Sequence, residues 1–211
     1  MGAQLTALSI MRDAPVIPVI VLNKVEHAVP MAEALVAGGI RVLEVTLRTP
    51  QGLACIEAIA KAVPQAIVGA GTVRGAADAA AAAQAGAQFA VSPGYTSKLG
   101  QACRDLGLPL LPGVATSSEI MAAMDDGLSE LKFFPAVQSG GIQMLKAWQG
   151  PFGDVRFCPT GGISPANAAE FLALSNVVCV GGSWLVPASA AEAGNWSQIT
   201  ELAKATHALR A

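Results

Sequence analysis

Two residues of opposite charge lie within short apolar stretches of this sequence, where charged side chains are uncommon. Glu44 lies in VLEVT and Lys132 lies in ELKFFP, and both stretches have the composition of buried strands. A buried charge is costly unless it is paired, and perturbed groups gather at functional sites. A desolvated lysine amine is the nucleophile of Schiff-base chemistry, and a nearby carboxylate can transfer protons. A purely structural ion pair is the alternative.

Further polar residues stand where other apolar stretches are predicted to end. Arg48 follows the stretch that contains Glu44, and its guanidinium suits a substrate carboxylate. Thr72 ends the stretch IVGAGT. Both also have structural explanations, as a strand cap and as a loop hydrogen bond. Pro93 and Phe134 are expected mainly to pack, and also to wall a pocket.

Two glycine pairs follow the last two apolar stretches of the chain. They are Gly161-Gly162 and Gly181-Gly182, and Ser183 follows the second pair. Glycine lets the backbone approach an anion closely, and exposed N–H groups at a helix start bind phosphate. Two ordinary tight turns are the alternative, but glycine pairs in consecutive strand-end loops favour a phosphate site.

The elements that must position these residues are short apolar stretches alternating with stretches of helical composition. The predicted strands cover residues 16–22, 41–47, 67–73, 89–93, 109–115, 131–134, 156–163 and 177–185. The predicted helices cover residues 27–38, 51–63, 76–86, 97–106, 117–127, 139–149 and 165–174. A strand followed by a helix, repeated along the chain, is typical of an α/β protein, and eight strands in this pattern indicate a (β/α)₈ TIM barrel. The first fifteen residues are predicted to form a helix that leads into it.

The active site of a TIM barrel lies at the C-terminal ends of the strands, where the polar residues and glycine pairs fall. An open doubly wound sheet is the alternative fold, but Arg74 stands where the last glycine of its G-x-G-x-x-G motif would be. No linker-like segment interrupts the pattern, so residues 1–211 are predicted to form a single domain.

Composition limits the classes of partner. Charged residues make up 13% of the chain and the net charge is −2, so nucleic acid is not expected as a partner. No apolar segment reaches the ~18–20 residues of a membrane helix.

The four cysteines are widely spaced, which indicates reduced thiols and a cytoplasmic location. The two histidines, His27 and His207, have no ligand-type neighbours at metal spacing, so neither a metal nor a cofactor is expected.

Taken together, the motifs resemble the 2-keto-3-deoxy-6-phosphogluconate (KDPG) aldolases, a class I family with members that act on 4-hydroxy-2-oxoglutarate. The resemblance spans nearly the whole chain, with the motifs in family order. It is carried by EVTLR at 44–48, GAGT at 69–72, SPG at 92–94, LKFFPA at 131–136, PTGG at 159–162 and GGS at 181–183.

The resemblance implies cleavage of KDPG to pyruvate and glyceraldehyde 3-phosphate by a homotrimeric (β/α)₈ barrel without metal or cofactor. It assigns Lys132 as the Schiff-base lysine and Glu44 as the general acid and base. Arg48 and Thr72 would hold the pyruvyl end of the substrate. The assigned pocket wall is Pro93, Phe134 and Thr160, and the assigned phosphate site is Gly161, Gly162, Gly182 and Ser183.

Two features bear on how far the resemblance extends. Val137 stands where many members have an acidic residue, at a position that is not catalytic in the family. Thr160 favours the gluconate-derived substrate over the galactonate-derived one, since the galactonate-specific branch tends to have an apolar residue there.

A 6-phosphogalactonate-derived substrate remains the first alternative. A phosphate-sugar epimerase or a non-catalytic phosphate-sugar binding barrel is the more remote one, and the absence of histidine at the strand ends argues against a metal-dependent epimerase.

Overall fold

The structure is a computed structural model and describes residues 5–210. It begins with helix α1 (Ala7–Asp13), whose first turn is closed by reciprocal hydrogen bonds between Thr6 and Ser9. The predicted N-terminal helix is therefore present, although residues 1–4 of that prediction lie outside the described part of the chain. Ile10 and Met11 of this helix are buried in the core.

Within the described residues, nine parallel strands form a curled sheet. Their bounds are β1 (Val16–Ile20), β2 (Val42–Thr46), β3 (Ile67–Gly71), β4 (Ala90–Val91), β5 (Leu110–Leu111), β6 (Gly113–Val114), β7 (Glu130–Phe133), β8 (Arg156–Pro159) and β9 (Val180–Gly182). Six strands pair in the order β5-β4-β3-β2-β1-β9, and three pair in the order β6-β7-β8. Two isolated parallel bridges, Phe157 with Val177 and Thr160 with Gly181, connect the end of one group to the other.

β5 and β6 are separated by a single residue, Pro112. Proline has no backbone N–H to donate to a neighbouring strand, so it interrupts the ladder of hydrogen bonds. Its carbonyl oxygen still accepts a hydrogen bond from the N–H of Lys132 at 2.8 Å. The predicted strand 109–115 is therefore present as two short strands, each paired with a different neighbour.

Helices connect the strands and cover the outer face of the sheet. They are α2 (Ala28–Ala37), α3 (Gly52–Ala62), α4 (Ala76–Gln84), α5 (Ser97–Asp105), α6 (Ser117–Asp125), α7 (Gly141–Trp148), α8 (Ala168–Leu172), α9 (Ala188–Glu192) and α10 (Trp196–Ala205). Short 3₁₀ turns cover Val25–His27 and Thr206–Arg210. In the described part of the chain, no helix combines the length and the apolar composition needed to cross a membrane.

The buried apolar residues form two clusters, one on each face of the sheet. The larger cluster lies between the strands and the helices and includes Leu43, Val45, Leu131 and Phe133. The smaller cluster fills the concave inner face. Its buried members are Ile10, Met11, Ile17, Val42, Phe89, Val91, Leu111, Cys158 and Cys179. Parallel strands covered on both faces explain why the sequence shows continuous apolar runs.

The α/β fold with a curled parallel sheet agrees with the sequence prediction. Every predicted strand and every predicted helix contains an observed element of that type. The sequence analysis predicted no helix after residue 174, and the structure places α9 and α10 there.

Candidate active site

Lys132 and Glu44 form an ion pair inside the curled sheet. Nζ of Lys132 lies 3.2 Å from Oε1 of Glu44, and the two side chains are only 4% and 3% exposed. Both side chains are therefore removed from bulk water, and the separation allows direct proton transfer between them.

The alternation of side chains along each strand explains this placement. Leu43 and Val45 belong to the outer cluster, and Val42 belongs to the inner cluster. Because successive side chains point to opposite faces, Glu44 points inward with Val42. The same argument applies to Lys132, whose neighbours Leu131 and Phe133 both lie in the outer cluster.

A pocket of about 120 Å³ opens at the C-terminal ends of the strands. Lys132 and Glu44 are not among its lining residues, but two residues that contact or pair with them are. Phe134 lines the pocket, and its ring centroid lies 5.2 Å from Nζ of Lys132. Val19 also lines the pocket and is the register partner of Glu44 in the neighbouring strand. The pocket is lined by Val19, Arg48, Phe134, Thr160, Gly161, Gly162, Ile163, Gly181, Gly182 and Ser183.

Arg48 and Thr72 meet at the rim of this pocket. Nε of Arg48 donates a hydrogen bond of 3.1 Å to the Oγ1 atom of Thr72. Thr72 has a φ of 62° and is the non-glycine residue with positive φ in the described chain, a conformation that is uncommon for a β-branched residue. The bond fixes the guanidinium through Nε and leaves its terminal nitrogens to bind a carboxylate.

Both glycine pairs reach the pocket. Gly161 and Gly162 have φ values of 100° and 77°, which favour glycine. Within residues 5–210, the N–H groups of Gly162, Ile163 and Ser183 donate no hydrogen bond. Unpaired N–H groups at a strand end are suited to bind an anion.

Thr160 and Gly181 fit together at the base of the pocket. A β-carbon on Gly181 would lie 2.2 Å from Oγ1 of Thr160, so the glycine leaves the space that this side chain occupies. Thr160 is 6% exposed.

Pro93 is not brought into this pocket. It is exposed and lines a separate depression with Arg74, Tyr95 and Thr96, among others. Its carbonyl group instead approaches the backbone of Gly113, where a β-carbon would lie 2.4 Å from the Pro93 oxygen. In the same depression, burial and then the Asp126 carboxylate raise the pKa of Tyr95 to about 12.

The sequence analysis did not single out Val19 or Ile163 as pocket residues, and it named Gly181 only as part of a glycine pair. Val19 and Ile163 are apolar and have no chemical signal of their own, so only their positions at strand ends point to the pocket. Among the described residues, no group of three or more His, Cys, Asp or Glu side chains could hold a metal ion.

The sequence of this chain matches the model of a known protein family. A family model described as "Aldolase: KDPG and KHG aldolase" matches residues 8–202. A KHG/KDPG aldolase of Escherichia coli (strain K12) is 60% identical over 199 residues, which cover 94% of this chain and 93% of the relative.

Two solved structures resemble the whole fold. A KDPG aldolase from Legionella pneumophila, with pyruvate captured at low pH as a covalent carbinolamine intermediate, is 50% identical with a TM-score of 0.94, covering 96% of this chain and 98% of that one. The 2-keto-3-deoxy-6-phosphogluconate aldolase of Zymomonas mobilis ZM4 with 3-phosphoglycerate is 48% identical with a TM-score of 0.92, covering 98% and 97% of the two chains.

Proposed function

Because the chain belongs to the KDPG and KHG aldolase family, we propose that it is an aldehyde-lyase that cleaves KDPG to pyruvate and glyceraldehyde 3-phosphate. 4-Hydroxy-2-oxoglutarate is the second substrate, as the name of the Escherichia coli relative suggests. The observation that carries the proposal is the buried Lys132–Glu44 pair beside a pocket lined by two diglycine loops.

The reaction begins with a proton transfer from Lys132 to Glu44, across the 3.2 Å that separates Nζ from Oε1. The neutral amine then attacks the C2 ketone of the substrate and forms a carbinolamine. Glu44 returns its proton to the departing hydroxyl, and loss of water leaves an iminium ion on Lys132. The carbinolamine of pyruvate captured in the Legionella relative supports this order of steps.

Cleavage follows from the electron demand of the iminium ion. Glu44 removes the proton of the C4 hydroxyl, the C3–C4 bond breaks, and its electron pair moves into an enamine. Glyceraldehyde 3-phosphate leaves. Protonation at C3 and addition of water to the imine then release pyruvate and restore the Lys132 amine.

The remaining pocket residues bind the two ends of the substrate. Arg48 and Thr72 hold the carboxylate of the pyruvyl end, with the guanidinium fixed by its bond to Thr72. Phe134 and Thr160 wall the reacting carbons. Gly161, Gly162, Gly182 and Ser183 bind the phosphate. Pro93 has a role only if its loop moves towards the pocket when substrate binds.

We further propose that the strands close into a (β/α)₈ barrel of one domain over residues 1–211, with β5 and β6 acting as one strand interrupted by Pro112. The bridges Phe157–Val177 and Thr160–Gly181 support closure, because they link β8 to the strand that pairs with β1.

We propose a cytoplasmic homotrimer. The four cysteines are buried and widely spaced in the sequence, which suits reduced thiols in a reducing compartment. The trimer rests on the family resemblance and on the low charged fraction of 13%, since subunit contacts would cover part of an unusually neutral surface. A mass in solution near three times the 21.3 kDa of the chain is expected, and a monomeric mass would contradict the proposal.

Borohydride trapping tests the covalent step. Reduction in the presence of pyruvate is expected to attach the three-carbon acid to Lys132, and peptide mapping by mass spectrometry locates it. Lys132→Met is expected to abolish both the adduct and pyruvate release from KDPG, because Lys132 is the amine that pairs with Glu44 within residues 5–210. Lys146→Met, at an exposed position of α7, is the matched control and should leave both unchanged. An adduct on Lys146, or none in the wild type, would contradict the mechanism.

Substrate choice is tested by measuring pyruvate release from KDPG, its 6-phosphogalactonate-derived epimer and 4-hydroxy-2-oxoglutarate side by side. KDPG is expected to have the highest kcat/KM. A chelator such as EDTA should leave the rate unchanged, whereas loss of activity would favour a metal-dependent aldolase or epimerase.

A further inference from the structure

The side chain of Asn167 spans the loop that carries Gly161 and Gly162. Its Nδ2 atom donates a hydrogen bond of 3.0 Å to the carbonyl oxygen of Gly162. Its Oδ1 atom accepts a hydrogen bond of 2.8 Å from the N–H of Ser164. One amide group therefore fixes the backbone on both sides of Ile163.

Backbone contacts from the neighbouring loop fix the preceding part of the same segment. The carbonyl oxygen of Thr160 accepts from the N–H of Ala136 at 2.8 Å, and that of Gly161 accepts from the N–H of Val137 at 3.1 Å. With the Asn167 bond, three successive carbonyl groups each accept a hydrogen bond from within the protein. The N–H groups of Gly162 and Ile163, which donate no hydrogen bond within the described chain, remain for a ligand.

Such a loop needs external support to hold one conformation. Gly161 and Gly162 both have positive φ, and glycine has more backbone conformations to lose on ordering than any other residue. If binding the anion had to order the loop, that entropic cost would weaken the affinity. Of the three bonds to the carbonyls of Thr160, Gly161 and Gly162, the one from Asn167 is the one made by a side chain.

A simple helix cap would explain only half of this geometry. Acceptance of the Ser164 N–H by a side chain three residues later is a capping interaction, and Ser9 makes the same bond to the N–H of Thr6 at 2.9 Å. The bond from Nδ2 to the carbonyl oxygen of Gly162 lies before the start of the helix, so it stabilises the loop that carries Gly161 and Gly162. In α1 the second bond of Ser9 stays within the cap, because its hydroxyl donates to the carbonyl oxygen of Thr6 at 2.8 Å and not to a residue before the capped one.

We propose that Asn167 is a positioning residue for the phosphate group of the substrate. It acts through the Gly162 carbonyl, and it holds the neighbouring N–H groups in the orientation that binds the anion. The inference rests on the proposed function, since it assumes that this loop receives the phosphate of KDPG. It predicts that Asn167 affects phosphorylated substrates selectively, and that it does not touch the reacting carbons.

The test compares Asn167→Ala with Asn195→Ala. Asn195 accepts a bond from the N–H of Gln198 at the start of α10, and Asn167 accepts one from the N–H of Ser164 before α8, so both variants lose an asparagine that binds a backbone N–H at a helix start. Asn167→Ala is expected to raise KM for KDPG about tenfold, equivalent to about 1.4 kcal/mol, and to leave KM for 4-hydroxy-2-oxoglutarate unchanged. It should also weaken inhibition by inorganic phosphate, measured with the unphosphorylated substrate. Asn195→Ala should leave all three quantities at wild-type values.

Asn167→Ser keeps the test valid if the alanine variant folds poorly. Serine retains an oxygen for the Ser164 N–H, as Ser9 does in α1, but lacks the second polar atom that reaches Gly162. We expect wild-type stability with a raised KM for KDPG. The inference is overturned if Asn167→Ser binds KDPG like the wild type, or if both substrates are affected equally. The proposed function itself fails by a different result, the absence of pyruvate release from KDPG by the wild type.

Discussion

Gly71 leaves the space that the carboxylate of Glu44 occupies. A β-carbon built on Gly71 would lie 2.4 Å from Oε1 of Glu44, closer than non-bonded atoms approach. The two residues lie on the adjacent strands β2 and β3, where Thr46 is the register partner of Gly71. The glycine therefore helps to determine where the carboxylate lies relative to Lys132.

Gly71→Ala is expected to displace Glu44 and to lower kcat. The added methyl group meets a carboxylate, which can rotate away, so the protein should fold at a cost of about 1–3 kcal/mol. A displacement of about 1 Å in a catalytic group can cost on the order of 10²-fold in rate. Steady-state kinetics with KDPG measure the effect, and KM should change little because the phosphate loops are untouched.

Gly75→Ala is the matched control for that variant. Gly75 precedes α4 with an extended φ of −173°, and a β-carbon there would have no atom within 4 Å. Its kcat and thermal stability should match the wild type. Equal losses of kcat in the two variants would refute the steric explanation.

Glu44→Gln is expected to lower kcat by about 10²–10⁴-fold, the usual contribution of a positioned proton-transfer group. The amide oxygen can still accept a hydrogen bond from Lys132, so circular dichroism should show a folded protein. The rate of borohydride trapping with pyruvate should fall as well, because Glu44 assists dehydration of the carbinolamine. Single-turnover measurements separate this step from C3–C4 cleavage.

Glu57→Gln controls for the loss of a carboxylate in an ion pair. Glu57 pairs with Lys61 on the exposed face of α3, and exposed pairs contribute little to stability. Its activity and stability should be those of the wild type. If Glu44→Gln were to unfold while retaining full activity per folded molecule, Glu44 would be a structural residue.

Thr72→Val tests whether the bond from Arg48 prepares the carboxylate site. Valine has nearly the same shape but no hydroxyl, so Nε of Arg48 loses its acceptor at 3.1 Å. We expect KM for KDPG and for 4-hydroxy-2-oxoglutarate to rise together by roughly tenfold, since one hydrogen bond to a charged group is worth about 1.5–3 kcal/mol. Initial-rate kinetics with both substrates measure the effect.

Thr72→Ser retains the hydroxyl and should behave as the wild type. Arg48→Lys removes the planar fork and should raise both KM values further. Because Thr72 acts through Arg48, combining Thr72→Val with Arg48→Lys should add little to Arg48→Lys alone. Fully additive effects would indicate that the two residues contribute independently.

The sequence predicts those strands and helices whose own residues are enough to identify them. Runs of Val and Ile in β1, β2 and β3 identify buried parallel strands directly. Glu44 and Lys132 stand out because each is a charged residue with an apolar neighbour on both sides in a strand, and the period of two then limits them to one face. Their proximity requires the curled sheet, which no local pattern contains.

Other features depend on contacts between distant segments. The sequence predicts that Pro112 lies within a single strand. The structure divides this strand into β5 and β6, because β5 pairs with β4 and β6 pairs with β7. Pro93 was expected at the pocket wall from its position after a strand, but the course of its loop places it in a neighbouring depression. The pair of bonds made by Asn167 depends on how the chain turns between Gly162 and α8, which composition does not specify.

Tyr95 permits a direct test of the electrostatics beside the pocket, because it is the single tyrosine of the chain. Its hydroxyl donates a hydrogen bond of 2.5 Å to Oδ2 of Asp126, and burial and then this carboxylate raise its pKa to about 12. A raised pKa stabilises the folded state below the unfolded value near 10, and this contribution is lost as the pH rises through 12. Tyrosinate absorbance should therefore titrate near 12 in the native protein and near 10 in denaturant.

Asp126→Asn should lower the pKa of Tyr95 in the native protein, whereas an unchanged pKa would mean that burial alone raises it. Tyr95→Phe should lose less stability than the wild type between pH 10 and 12.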